Sequence, residues 1–345
     1  MYMKTSKIAL VLLGIFVFSG VGVYLKSCQE KSSSTTEQAS TDASSPEQGL
    51  LPAATFNADS AYNFVAKQVE FGPRVPNTKS HKACAAWLAD QLKAYGCQVI
   101  NQNFVATTYD GKKLNAVNII GTYNPGAAKR ILLAAHWDTR PIADKDTKDK
   151  DKPIDGANDG ASGVGVLLEI ARAIKEAQNK PNVGIDFILF DAEDNGEPNE
   201  YRGDSGNQVW WCLGSQYWAA NKHVPNYQAY YGILLDMVGA KGAVFPHEGL
   251  SMQYAPILTR SIWDIASRLG YGNLFIDADG GALTDDHAFV NDIGKIQMID
   301  IVELRPNDPK TFGSYHHTHN DNMNVIDKNT LKAVGQTVLT ALYQE

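Results

Sequence analysis

The segment "HHTHND" sets three imidazoles, His316, His317 and His319, within four residues, just ahead of the last helical pattern in the chain. Four other apolar runs end in acids or imidazole. His136 and Asp138 close "RILLAAHWD", Glu193 and Asp194 close "DFILFDAED", Asp236 closes "YYGILLD", and Asp300 falls near the end of "KIQMID". One aspartate in such a place is ordinary, because aspartate commonly makes the turn or caps the helix after a strand. Four together mean more: strands of one open sheet would gather them beyond their carboxyl ends, where ligands bind in such folds. Asp159 joins them from "DGANDGASGVGVLLEIARAI", a helical run whose start is crowded by Gly156, Gly160, Gly163 and Gly165. Glycine weakens a helix by up to ~1 kcal/mol relative to alanine, so this start is expected to let something come close to the backbone beside Asp159. Carboxylates with imidazoles form a metal donor set. A catalytic zinc takes three protein ligands of these types and keeps one position open for substrate.

The elements that must carry these residues follow from periodicity. Two helical pieces, "ADSAYNFVAKQVEF" and "SHKACAAWLADQLKAYG", are divided by "GPRVPNTK", and Gly96 is a natural residue to end the second. "CQVINQNFVA", "LNAVNIIGTY" and "RILLAAHWDT" read as strands. "NVGIDFILFDAED" is apolar on both faces, as a strand covered on both sides should be. "WCLGSQYWAANK" and "QYAPILTRSIWDIASRLG" read as helices, "AYYGILLDMVGA" and "GKIQMIDIVE" as strands, and "DKNTLKAVGQTVLTALYQ" as a closing helix. The alternation predicts an α/β fold, a three-layer sandwich whose central mixed, mostly parallel sheet carries helices on both faces.

A chain of 345 residues, 44% apolar, can bury one large core. Its net charge of −7 and the lack of a Lys/Arg block argue against a nucleic-acid partner. Residues 1–27 read as a signal or anchor segment, with Lys4 and Lys7 ahead of an apolar stretch from Ile8 to Tyr24. Residues 28–55 read as a polar linker with little reason to fold, and residues 56–345 as the catalytic domain. Cys28 resembles a bacterial lipoprotein acylation site; a plain signal peptide and an uncleaved anchor are the other readings. All three put the folded part beyond the inner membrane, periplasmic or tethered, with membrane contact only through the N-terminal segment or a lipidated Cys28. Of Cys84, Cys97 and Cys212, at least one must stay a free thiol if the others pair.

From about Phe56 onward the chain resembles the zinc aminopeptidase clan, and within it the animal-type glutaminyl-peptide cyclotransferases. The resemblance is carried in order by "NIIGTYNPGAAKRILLAAHWDTR", "DGANDGASGVGVLLEIARAI", "FDAEDNGE", "LGSQYWA", "LLDMVGA", "TDDHAFV" and "HTHND". It implies Asp159, Asp194 and His317 as ligands of a single Zn²⁺, with Asp194 where most relatives carry a second glutamate. His136 and Asp236 stand where peptidases of the clan hold a second metal, with Asp138 beside them as a possible support. The cyclases keep these residues with one zinc, and the doubled acid of "TDDH" is closer to the cyclase form. The resemblance implies cyclisation of N-terminal glutamine in peptides or proteins. Glu193 would then act as general base and acid, and Asp285 and Asp236 would orient the amine. Asp300 or Ile299 stands where animal relatives carry a histidine, and His316 where relatives often have tryptophan. Trp210 and Trp211 in "QVWWCLG" are candidates for the wall of a small pocket, with core packing as the other reading. A two-zinc aminopeptidase is the alternative function, a non-catalytic binding domain a more distant one, and a monomer is the expected state.

Overall fold

The computed structural model describes residues 49–198, 200–203, 208–306 and 312–345. The signal or anchor segment, Cys28 and linker residues up to 48 lie outside the described residues. From Leu50 onward the chain already packs on the core, and Gln336 donates a hydrogen bond to the Ala54 carbonyl.

Helix α1 (Ala58–Glu70) starts where the Asn57 side chain accepts from the N–H groups of Asp59 and Ser60. Such a cap satisfies donors that the first helical turn leaves open. Helix α2 (Lys79–Ala94) is capped by Thr78 and stops before Gly96 at φ 89°. Strands β1 (Gln98–Thr107) and β2 (Lys113–Tyr123) form an antiparallel hairpin. The next three strands, β3 (Arg130–His136), β4 (Gly184–Phe190) and β5 (Tyr231–Asp236), are buried along almost their whole lengths. With β8 (Met298–Val302) they complete a six-stranded sheet in the order β1-β2-β4-β3-β5-β8. The β4–β3, β3–β5 and β5–β8 ladders are parallel, and the two involving β2 are antiparallel.

The period of two along the strands divides the core. Ile131, Leu133, Ala135, Ile185, Ile233 and Ile299 face the larger cluster. That cluster is closed by α1, α2, α3 (Ala161–Glu176), α6 (Pro256–Arg268) and α8 (Lys328–Tyr343). Leu132, Ala134, Ile188, Leu234 and Met298 face the smaller one, covered by α4 (Leu213–Ala220) and α7 (Asp286–Asp292). This is the expected three-layer sandwich.

Three details depart from the sequence reading. The helix expected over residues 253–270 divides into α5 (Gly249–Tyr254) and α6, because Pro256 has no N–H to continue α5 and instead takes the first position of α6. The "TDDHAFV" segment forms α7. A short parallel pair, β6 (Phe245–His247) with β7 (Phe275–Asp279), lies outside the main sheet. Its strands are too short for periodicity to reveal.

Candidate metal-dependent active site

The carboxyl ends of β3, β4 and β5 bring the predicted residues to one edge of the sheet. His136 is the last residue of β3, and its Nε2 lies 3.1 Å from Asp159 Oδ1 and 3.2 Å from Asp236 Oδ1. Asp159 belongs to the loop before α3, and that loop is held from behind. Asp321 accepts from the N–H groups of Asn158 and Asp159 at 2.8 and 3.0 Å, while the Asn158 side chain accepts from the Gly239 N–H. The glycines of this segment make room for protein, which answers what comes close to Asp159. A Cβ on Gly160 would sit 2.7 Å from the Asp138 carbonyl oxygen, and one on Gly163 would sit 2.2 Å from that of Leu235. The segment is therefore pressed against β3 and β5.

After β4 the chain must bring two consecutive side chains to the same side. Ala192 does this at φ 56°, in the left-handed region that non-glycine residues seldom occupy. Asp138 Oδ1 accepts from the Glu193 N–H at 3.0 Å and its Oδ2 from the Asp194 N–H at 3.2 Å. Asp138 is thus a support, tied to backbone rather than offered to an ion. His317, also left-handed at φ 58°, places its Nε2 3.2 Å from Asp194 Oδ1 and 3.6 Å from Asp159 Oδ2. Its ring stacks on Trp211 at 5.8 Å between centroids and 4° between planes. Arg140 lies over the same tryptophan, its guanidinium carbon 4.5 Å from the Trp211 centroid.

Whether these residues fit a zinc ion is tested by what they leave unsatisfied. Asp194 Oδ2 is buried with no hydrogen-bond partner, and the Nε2 of His317 faces two carboxylates. Two carboxylate oxygens and an imidazole nitrogen form a donor set of the catalytic zinc type. The residues fit. A second set, His136, Asp159 and Asp236, shares Asp159, and His316 is also near it, with Nε2 3.7 Å from Asp159 Oδ2. His319 points elsewhere, to Asp146 at 3.0 Å.

A cleft of about 340 Å³ opens over these groups. Glu193, Asp236 and Asp285 line it with Asp159 and His317, and Trp211, Leu283, Phe312 and His316 supply much of its wall. Trp210 is absent from that lining. Of the two tryptophans it is Trp211 that faces the cleft. Asp300 does not reach the cleft either. It lies inside β8, opposite Leu234, instead of at the strand end, with its carboxylate against Asp285 and 3.6 Å from His287 Nδ1. Ile299 faces the larger core cluster, so Asp300 is the one of the two that faces the site.

The electrostatics follow from crowding acids in a dry place. Burial, reinforced by Asp194 and Asp285 and opposed by His136, pushes the Glu193 carboxyl well above its usual range. Burial likewise raises Asp236 to about 7, against the hydrogen bond from His136. Burial and the Arg140 charge hold the His317 imidazole down at about 3, so it is neutral and available as a ligand.

Sequence reading passed over Asp144 and Cys212 as site residues. Asp144 pairs with Arg140 at 2.7 Å and lies 3.7 Å from His317 Nδ1; it comes from an irregular loop with no periodic signal. The Cys212 thiol donates to Glu193 Oε1 at 3.2 Å, and its backbone N–H to the Glu193 carbonyl. Cys84, Cys97 and Cys212 are all buried free thiols.

Residues 118–342, which carry every one of these site residues, match Peptidase family M28. The chain belongs to this family. Solved structures resemble the M28 chain over the whole described fold. A Zn-dependent exopeptidase from Parabacteroides distasonis is 52% identical at a TM-score of 0.82, over 85% of this chain and 100% of that one. The glutaminyl cyclase of Bacteroides thetaiotaomicron, bound to N-acetylhistamine, is 54% identical at a TM-score of 0.81, with the same coverage. Among curated sequences, aminopeptidase YwaD of Bacillus subtilis is 27% identical over 66% of this M28 chain, which spans 44% of that protein's length.

Proposed function

We propose that this chain is a zinc-dependent glutaminyl cyclase, converting N-terminal glutamine of peptides or proteins to pyroglutamate with release of ammonia. The observation that carries this reading is the two-sided cleft. Glu193, Asp236 and Asp285 line it as acids suited to an amine, and Asp159 with His317 lines it as metal ligands. One glutamine side chain and its own α-amine can be held between them. The 54% identity to a glutaminyl cyclase supports the same reading.

Asp159, Asp194 and His317 would hold one zinc, which supplies Lewis-acid polarisation of a carbonyl. Asp236 and Asp285 orient the α-amine toward the γ-carboxamide carbon. The nucleophile is tethered to its target, so holding the right conformer supplies much of the acceleration. Glu193 takes a proton from the amine as the new C–N bond forms. It returns that proton to the departing nitrogen, which leaves as ammonia. Trp211 and its neighbours screen the reacting atoms from water. Asp300 acts through Asp285, which it touches.

A second reading, a two-zinc aminopeptidase, is favoured by the donor set of His136, Asp159 and Asp236. Zinc analysis with two assays separates them. One zinc and cyclisation of a Gln-led peptide is the expected result; two zincs with hydrolysis of a leucine amide would replace it.

The site works outside the cytoplasm in this reading, as a monomer, on a chain exported by residues 1–27 and tethered through an acylated Cys28. Substituting Cys28→Ser should release the protein from membranes. Unchanged membrane association would instead point to an uncleaved anchor.

A further inference from the structure

A peptide led by glutamine must leave the cleft past its rim, and two cations with different commitments line that cleft, Arg140 buried and Lys145 exposed. Arg140 is fully engaged: Nε and Nη2 bond Asp144 at 2.7 and 3.0 Å, and Nη1 donates to the Asp194 carbonyl at 3.2 Å. Lys145 is not. Its Nζ meets the imidazole of His316 at 2.7 Å and lies 5.8 Å from the centre of the Phe312 ring, and among the described residues no carboxylate forms an ion pair with it. An ammonium has three donors, and a neutral imidazole accepts one.

Lys145 is also held in place. Its backbone N–H donates to the His317 carbonyl at 3.3 Å. The next residue, Asp146, accepts from both the N–H and Nδ1 of His319, at 2.9 and 3.0 Å. The lysine loop and the histidine loop are therefore clamped together at Lys145 and at the residue after it. Of the nearest acids, Asp144 is taken by Arg140, and Asp159 and Asp194 are the residues assigned to zinc. The charge that remains to be matched faces the cleft that Lys145 lines.

We infer that Lys145 forms a subsite for a carboxylate carried by the second residue of the substrate, so that chains beginning Gln-Glu or Gln-Asp are preferred. This rests on the cyclase reading, in which the first residue occupies the inner cleft. The free carboxylate of a dipeptide has the same chemistry, and amide-capped substrates tell the two apart.

The test uses the zinc-loaded enzyme with Gln-Glu-amide, Gln-Gln-amide, Gln-Lys-amide and uncapped Gln-Ala. Wild type should favour Gln-Glu-amide over Gln-Gln-amide by roughly fivefold in kcat/KM, the upper end for a solvent-accessible ion pair, and the difference should lie in KM. In Lys145→Met the ratio should fall to about one, and in Lys145→Glu it should turn in favour of Gln-Lys-amide. Equal use of the capped substrates by wild type, or an undiminished ratio in Lys145→Met, overturns the subsite. An advantage confined to uncapped Gln-Ala overturns its assignment to the second side chain. Cyclisation of none of the four by wild type overturns the cyclase reading and the subsite with it.

Discussion

Asp138 holds Glu193 by its backbone N–H at 3.0 Å, and the same carboxylate holds the Asp194 N–H at 3.2 Å and the Asn195 side chain at 3.1 Å. One buried side chain thus sets the turn that carries both the proposed base and a proposed ligand. Groups behind metal ligands typically matter by about 10–100-fold in metal affinity or activity. Asp138→Ala should therefore lower both turnover and zinc affinity within that range. Asp138→Asn, which keeps one acceptor oxygen, should fall between. Unaltered turnover in Asp138→Ala would show that the turn keeps its shape without this support.

Base and ligand separate at the next two residues. Glu193→Gln should lose about 10²–10⁴-fold in turnover while zinc content stays at the wild-type level, because only proton transfer is removed. Asp194→Asn should lower zinc content, and excess zinc should restore part of its activity. Elemental analysis beside turnover for both variants reads this directly; zinc lost from Glu193→Gln and retained in Asp194→Asn would exchange the two roles.

The histidine loop gives a contrast within three residues. His317→Ala should strip the metal and abolish activity, whereas His319→Ala should change zinc content little, since His319 faces Asp146. Retention of zinc by His317→Ala would refute the ligand assignment.

Away from the cleft, Glu248 is a buried carboxylate with a defined pH signature. Burial alone would raise it. The His287 imidazole at 3.1 Å and the N–H groups of Leu250 and Ser251 outweigh that and hold it at about 2. A folded pKa below the unfolded value of about 4.3 gives stability that is complete above that value and is lost as pH falls toward the folded pKa. Glu248→Gln should therefore be less stable near neutrality, and its Tm should fall less steeply than that of wild type between about pH 5 and pH 3. Parallel Tm curves for the two proteins would contradict this.

Much of the site was legible because the fold places strand ends together and chemistry ended the strands. His136, Glu193, Asp194 and Asp236 could be read from apolar runs that stop in polar residues. The same rule gathers Asp300, which sits within β8 and touches Asp285 and His287 instead of lining the cleft. Asp144 and Lys145 were invisible because an irregular loop has no period, and their place depends on long-range pairing with the histidine loop. The divided helix at Pro256 was legible in principle; apolar spacing across the proline concealed the break.

The close approach of Gly163 to the Leu235 carbonyl has a mechanical meaning. Asp159 and Asp236 reach the same nitrogen of His136 from opposite walls, one wall continuing into α3 and the other ending β5. The gauge between those walls is fixed by a missing methyl group. Nothing flexible lies at the contact to absorb one, since the obstructing atoms are backbone and the Cβ of Ala135. Gly163 therefore works as a spacer of zero thickness, and the separation of Asp159 from Asp236 is a dimension machined into the scaffold, at a contact four residues after the first and one residue before the second.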